Sequence, residues 1–154
     1  MDRARRHGHR VAVALLDLDD FKQVKDVYGH AEGDRLLQAV AARLRAGMRR
    51  TDFVARRGGD EFVCVWEDLA GTADLTAVLD GLNRALAIPV PLSHGGSVPV
   101  AFSLGVTLAP RDPGPPDSLL RHADQALYYL KEYKQDRRRR WMLYPPPNGP
   151  RAAP

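Results

Sequence analysis

Cysteine is almost missing from this chain. Cys64 is the only one in 154 residues, so no intrachain disulfide can staple the fold, and a lone thiol fits a reducing cytoplasm. Lying inside a β-rich run, Cys64 reads as a small core hydrophobe. Long apolar runs are also missing: no segment approaches a membrane span, and no signal-peptide pattern is visible. Acid is missing from the C-terminal end, where residues 137–154 carry a net +5, while residues 1–10 carry +3. A chain of net +4 therefore leaves residues 11–136 at −4. The pI of about 9.5 belongs to the ends, which argues against a specific nucleic-acid surface. Arg137 to Arg140 read as a nonspecific anionic contact or a solvated helix end. Five of the last ten residues are proline, which predicts a disordered tail with no regular element. The whole chain, 44% hydrophobic and 27% charged, suits one globular core and is short for two. Three parts are expected: a basic segment over 1–9, one domain over 10–136, and a basic, proline-rich tail over 137–154.

Within that domain the most telling text is Arg57-Gly58-Gly59-Asp60-Glu61-Phe62. A Gly-Gly pair between two β-rich runs signals a hairpin. Glycine permits positive φ and lets a phosphate approach the backbone. Two adjacent carboxylates at a turn repel each other unless a cation intervenes, and divalent cations accompany nucleotide phosphates. Ordinary turn chemistry explains the same residues taken alone.

Upstream, Val11 to Leu16 is an apolar run that ends in Asp17-Leu18-Asp19-Asp20. It reads as a buried strand presenting Asp17 at its end, where open α/β sheets place ligands. Asp17 and Asp19 share one strand face, with Leu18 on the other. If this strand lies beside the hairpin, Asp17 and Asp60 converge on one metal, and a backbone carbonyl such as that of Leu18 completes an oxygen shell. That shell suits Mg²⁺ or Mn²⁺. Asp19 or Asp20, Asp19 before Asp20, is expected to cap the next helix. Phe21, Val24 and Tyr28 give that helix an apolar face, Gly29 stops it, and Lys22 and Lys25 lie one turn apart, within reach of a phosphate.

The spacing predicts strand 10–17, helix 19–28, helix 33–47, strands 52–57 and 61–67, helix 72–87, strands near 88–91 and 98–109, and helix 116–135. Leu36, Leu37, Val40, Ala41 and Leu44 form one apolar helix face; Leu119, Ala123, Ala126, Leu127 and Leu130 form another. His94-Gly95-Gly96 is expected to turn a hairpin. The fold class is α/β (α+β): an antiparallel-centred sheet wrapped by helices.

Five segments in order carry a resemblance: Leu15 to Lys22, Tyr28 to Asp34, Arg56 to Phe62, Phe102 to Val106, and Ala123 to Tyr128. Together they resemble the GGDEF domain, the catalytic domain of bacterial diguanylate cyclases, over roughly residues 10–136. The resemblance implies a palm-like nucleotide cyclase fold, and a second-messenger activity that condenses two GTP molecules into cyclic di-GMP and releases pyrophosphate. It implies Asp17, the Leu18 carbonyl and Asp60 as metal ligands, Asp60 as proton acceptor, Glu61 as a supporting acid, and Lys22 and Lys131 on the phosphates. His30 and Asp34 match positions near the guanine, whose adjacent donors suit a carboxylate. Each domain would hold one GTP, so catalysis would need a homodimer. Arg49 and Asp52 match the family's inhibitory site for cyclic di-GMP, although such a pair is also ordinary in a surface loop.

Two departures touch the substrate rather than the metal. Lys25 stands where the family has a guanine-reading Asn, replacing an amide by a longer cation with no acceptor. After Lys131, the family's Gly-Arg-Asn becomes Lys134-Gln135-Asp136, which removes a fixed positive charge from the phosphate site; Lys134 or Arg137 are the candidate replacements. The family also opens with a further helix and an Asp-x-Leu-Thr segment, so a trimmed or partial form of a longer sensor protein is expected. A degenerate domain that binds GTP or cyclic di-GMP as a regulatory module is the alternative function. A nucleic-acid-binding palm-like domain is disfavoured by the negative core.

Overall fold

The computed structural model describes residues 8–133 and 140–146. A five-stranded sheet has the order β2-β3-β1-β6-β7. Its strands are β1 (Arg10–Leu18), β2 (Phe53–Gly58), β3 (Glu61–Leu69), β6 (Phe102–Ala109) and β7 (Trp141–Leu143). A separate small hairpin pairs β4 (Val90–Pro91) with β5 (Ser97–Val98). The expected strand over 98–109 is thus two strands, interrupted at 99–101. The helices are α1 (Phe21–Tyr28), α2 (His30–Ala46), α3 (Thr72–Leu86) and α4 (Pro116–Glu132). α2 begins three residues earlier than the spacing predicted, and only Gly29, at φ +92°, separates it from α1.

β1 is central because its apolar run can be covered on both faces. Ala12, Ala14, Leu16 and Leu18 join a core with Leu36, Val40 and Leu44 of α2 and Leu75, Leu79 and Leu86 of α3. Val11, Val13 and Leu15 face the other way and pack with Leu119, Ala123 and Leu127 of α4. Strand alternation then carries Asp17 to the α4 side. Antiparallel pairing sets Asp17 opposite Glu61 on β3 and opposite Ser103 on β6.

Gly105 lets α4 lie on the sheet. A Cβ there would stand 2.0 Å from the Ala123 carbonyl oxygen and 2.5 Å from the Leu127 nitrogen, both backbone atoms of α4.

The tail departs from expectation. Trp141–Leu143 forms an edge strand parallel to β6, with Leu104 opposite Trp141, inside the stretch 137–154 that was expected to be a disordered tail. The prolines begin only at Pro145, and residues 141–144 bring apolar surface that the sheet edge and α4 bury. A second correction concerns Asp19. Its carboxylate accepts hydrogen bonds from Ser103 Oγ at 3.0 and 3.1 Å, and the cap position of α1 belongs to Asp20, whose side chain makes no capping bond.

Candidate functional site

The site grows from the paired ends of β1 and β3. At the hairpin tip Gly58 has φ +150° and Gly59 φ +51°, conformations that β-carbons disfavour. Arg56 Nε donates to the Gly59 carbonyl at 2.9 Å and steadies the turn. The amide of Leu18 donates to the Asp60 carbonyl at 3.2 Å, so the last residues of β1 are tied to the turn that carries Asp60. Asp17, Leu18, Asp60 and Lys22 line one cavity of 720 Å³, and Lys131 from the last turn of α4 reaches into it.

The electrostatics of Asp17 follow from this placement. Lys131 Nζ donates to Asp17 Oδ2. Asp17 Oδ1 is buried and has no hydrogen-bond partner. Burial pushes the Asp17 carboxyl above its ordinary value; Lys131 pulls it down, and the charge of Asp60 nearby adds to the rise. A side-chain contact with Asp60 adds to the same rise. An orphaned carboxylate oxygen beside a second carboxylate, with a backbone carbonyl between them in sequence, fits a hard divalent cation. Among the described residues no cluster of three His, Cys, Asp or Glu side chains forms a ready-made metal site; the expected set is two carboxylates and a carbonyl.

The remaining expected residues fall in three places. Glu61 is half-buried and opposite Asp17 in register, outside the lining of the cavity. Lys25, His30 and Asp34 are also outside it. Lys25 Nζ sits 5.0 Å from the Phe21 ring centroid, and a Cβ on Gly33 would meet its Cγ at 2.7 Å, so its stem lies across the α1–α2 corner. Asp34 lines a second groove of 350 Å³ with Leu37, Arg45, Arg56 and Phe62. His30 is exposed at the start of α2. Gln135, Lys134 and Arg137 lie outside the described residues.

Arg49 and Asp52 are engaged with each other and with β3. Asp52 Oδ2 accepts from the Arg49 amide at 2.8 Å and from Arg49 Nε at 3.3 Å, and Oδ1 accepts from the Glu67 amide at 3.3 Å. Arg49 Nη2 donates to the Glu67 carbonyl at 2.6 Å. The Asp52 side chain is only 2% exposed. Sequence reasoning missed Ser103 and Arg140 in the 720 Å³ cavity. Ser103 had a signal, since it lies in Phe102-Ser103-Leu104-Gly105-Val106; Arg140 had only the reading of Arg137 to Arg140 as a nonspecific anionic contact or a solvated helix end.

The family model described as "Diguanylate cyclase, GGDEF domain" matches residues 1–137. The chain belongs to the GGDEF domain family. It is 38% identical over 136 residues to the diguanylate cyclase TpbB of Pseudomonas aeruginosa, covering 88% of this chain and 31% of TpbB. The chain thus spans about a third of that relative's length. The solved GGDEF domain of TpbB superposes with a TM-score of 0.84 at 36% identity, covering 92% of this chain and 81% of that one. The GGDEF domain of DgcB from Caulobacter crescentus, solved in complex with c-di-GMP, has a TM-score of 0.78 at 25% identity, covering 92% and 82%. The palm-like fold of this GGDEF domain is thereby established. No helix among its described residues is long and apolar enough to cross a membrane.

Proposed function

We propose that this GGDEF domain is a diguanylate cyclase that condenses two GTP molecules into cyclic di-GMP, depends on Mg²⁺ or Mn²⁺, and works as a homodimer of facing half-sites. The observation that carries this reading is the orphaned oxygen of Asp17 beside Asp60, in a cavity that also holds Lys22 and Lys131. Asp17, the Leu18 carbonyl and Asp60 would hold the metal, which supplies charge neutralisation at the phosphates and lowers the pKa of the attacking hydroxyl.

The chain's own groups do the rest. Asp60 accepts the proton of the ribose 3′-hydroxyl, and Glu61, on the same sheet face as Asp17, adds negative potential that favours that transfer. The 3′-oxygen bonds to the α-phosphorus of the facing GTP as the bond to pyrophosphate breaks. Lys22 steadies charge on the phosphates, and Lys131 exchanges Asp17 for the terminal phosphate as substrate enters. The same event in the opposite direction closes the ring, which is why two domains must face each other. His30 and Asp34 would take the base.

One observation favours a second reading, a degenerate module that binds GTP or cyclic di-GMP without turnover. Lys25 replaces the base-reading amide and its stem fills the α1–α2 corner. The c-di-GMP complex of DgcB supports cyclic di-GMP as a ligand of either form. Binding it at Arg49 and Asp52 would first require both side chains to leave the Glu67 backbone.

The deciding experiment incubates the chain with GTP and Mg²⁺ at several protein concentrations and identifies products by mass spectrometry. Cyclic di-GMP rising more than linearly with protein is the expected result. GTP or cyclic di-GMP binding without product at any concentration would establish the regulatory module instead.

A further inference from the structure

We propose that Arg140 is a phosphate-binding residue of the GTP site, supplying from just ahead of the edge strand β7 the positive charge missing at Gln135. This rests on the reading of the cavity as a GTP site and adds to it a residue outside the family's motif positions. Arg140 lines the same cavity as Asp17, Asp60, Lys22 and Lys131. It forms no ion pair with any described residue, whereas Lys131 is tied to Asp17. Asp19 and Asp20 also line this cavity, so an entering triphosphate meets four carboxylates against three cations. Arg140 is the one guanidinium among those cations, and its planar fork matches two phosphate oxygens at once.

Its position is fixed by the element that sequence reasoning missed. The Leu104 amide donates to the Arg140 carbonyl at 2.8 Å, and the Tyr144 amide donates to the Val106 carbonyl at 2.7 Å, so both ends of β7 are pinned to β6. The Tyr144 ring stacks on His122 of α4 with centroids 4.2 Å apart, and His122 Nδ1 lies 2.7 Å from a buried Asp112 carboxylate oxygen. The Arg140 guanidinium carbon stands 5.8 Å from the Phe102 ring centroid, a separation at which an aromatic face holds a cation. Phe102 is opposite Leu18 across β6 and β1, which brings the guanidinium to the same sheet end as the expected metal ligands. A cation already ordered in this way loses little freedom when it captures a phosphate.

The test compares the full chain with Arg140→Ala and Arg140→Lys, using equilibrium binding of GTP and of tripolyphosphate together with melting temperature. Arg140→Ala is expected to weaken both ligands about tenfold, as loss of one charge-assisted contact does, with an unchanged melting temperature. Arg140→Lys is expected to recover part of the loss. Wild-type and Arg140→Ala chains that bind GTP equally would overturn the proposal and leave the cyclase reading standing. A loss that follows a fallen melting temperature, unrescued by Arg140→Lys, would assign Arg140 a structural role and overturn it as well. A wild-type chain that binds neither ligand would overturn both readings together.

Discussion

Two Asp residues, each paired with a cation, sit at different edges of this domain, and they are built to opposite ends. Asp52 spends both carboxylate oxygens on Arg49 and on the Glu67 amide, and its side chain is 2% exposed. Asp17 gives one oxygen to Lys131 and keeps the other, buried, without a partner. A satisfied carboxylate fastens a loop to a strand. An unsatisfied one, held next to a second carboxylate in an open cavity, costs stability that only a ligand can recover. Arg49 and Asp52 lie three residues apart in the sequence, whereas Asp17 and Lys131 lie 114 apart. Their hydrogen-bond inventories separate them.

The sharpest way to break this comparison is to truncate one member of each region. Asp60→Ala should lower Mg²⁺-dependent GTP turnover by about a thousandfold or more, the scale of losing a central catalytic group, while the melting temperature stays within a few degrees. Product formation at the wild-type rate would remove Asp60 from the mechanism. Asp52→Ala should do the reverse, leaving the Arg49 and Glu67 amides without their acceptor and costing about 2 kcal/mol of stability, read by urea denaturation, with turnover per folded molecule retained. A variant as stable as the wild type would show that Asp52 is not a fastener.

Gly105→Ala probes the helix that delivers Lys131 to Asp17. The added methyl would meet α4 backbone, which cannot rotate away as a side chain can, so a loss of about 3 kcal/mol is expected, with weaker GTP binding in whatever folds. Full stability would mean that α4 shifts freely on the sheet. A smaller effect concerns the base side of the site. Lys25→Asn should raise cyclic di-GMP synthesis several-fold, because an amide has both donor and acceptor for guanine; an unchanged or lower rate would give Lys25 a function of its own. The smallest effect is at Cys64. Burial pushes its thiol from an ordinary 9.0 up to about 12. The folded thiol should therefore resist alkylation at pH 8 and react on unfolding. Because the folded value is the higher one, the stability from this group is complete below pH 9 and declines as pH rises toward 12. Ready alkylation of the native chain at pH 8 would contradict this burial.

Much of the fold was legible because it rests on local pattern. The run Val11 to Leu16, the Gly58-Gly59 turn and the apolar faces of α2 and α4 all specify themselves through period and turn chemistry. Asp17, Asp60 and Lys22 come to line one cavity for the same reason, being placed by elements close to them in sequence. Three features were not legible. Asp19 was assigned to a helix cap, and Ser103, 84 residues later, claims it across β6. β7 was not foreseen because a parallel edge strand takes its hydrogen bonds from a distant partner and needs only a few apolar residues. The groove lined by Asp34 and Arg56 exists only because α2 lies beside β2.

By itself, then, the sequence determined which residues bear charge at the ends of β1 and β3, and it carried the expectation of a metal-and-phosphate chemistry for them. Only the tertiary structure decided that Lys131 reaches Asp17 from 114 residues away, that one Asp17 oxygen is left unpartnered while Asp52 has none to spare, and that Arg140 enters the same cavity. Sequence pattern records the conformation of neighbours along the chain. Hydrogen-bond satisfaction is settled between groups that meet only after the sheet has assembled.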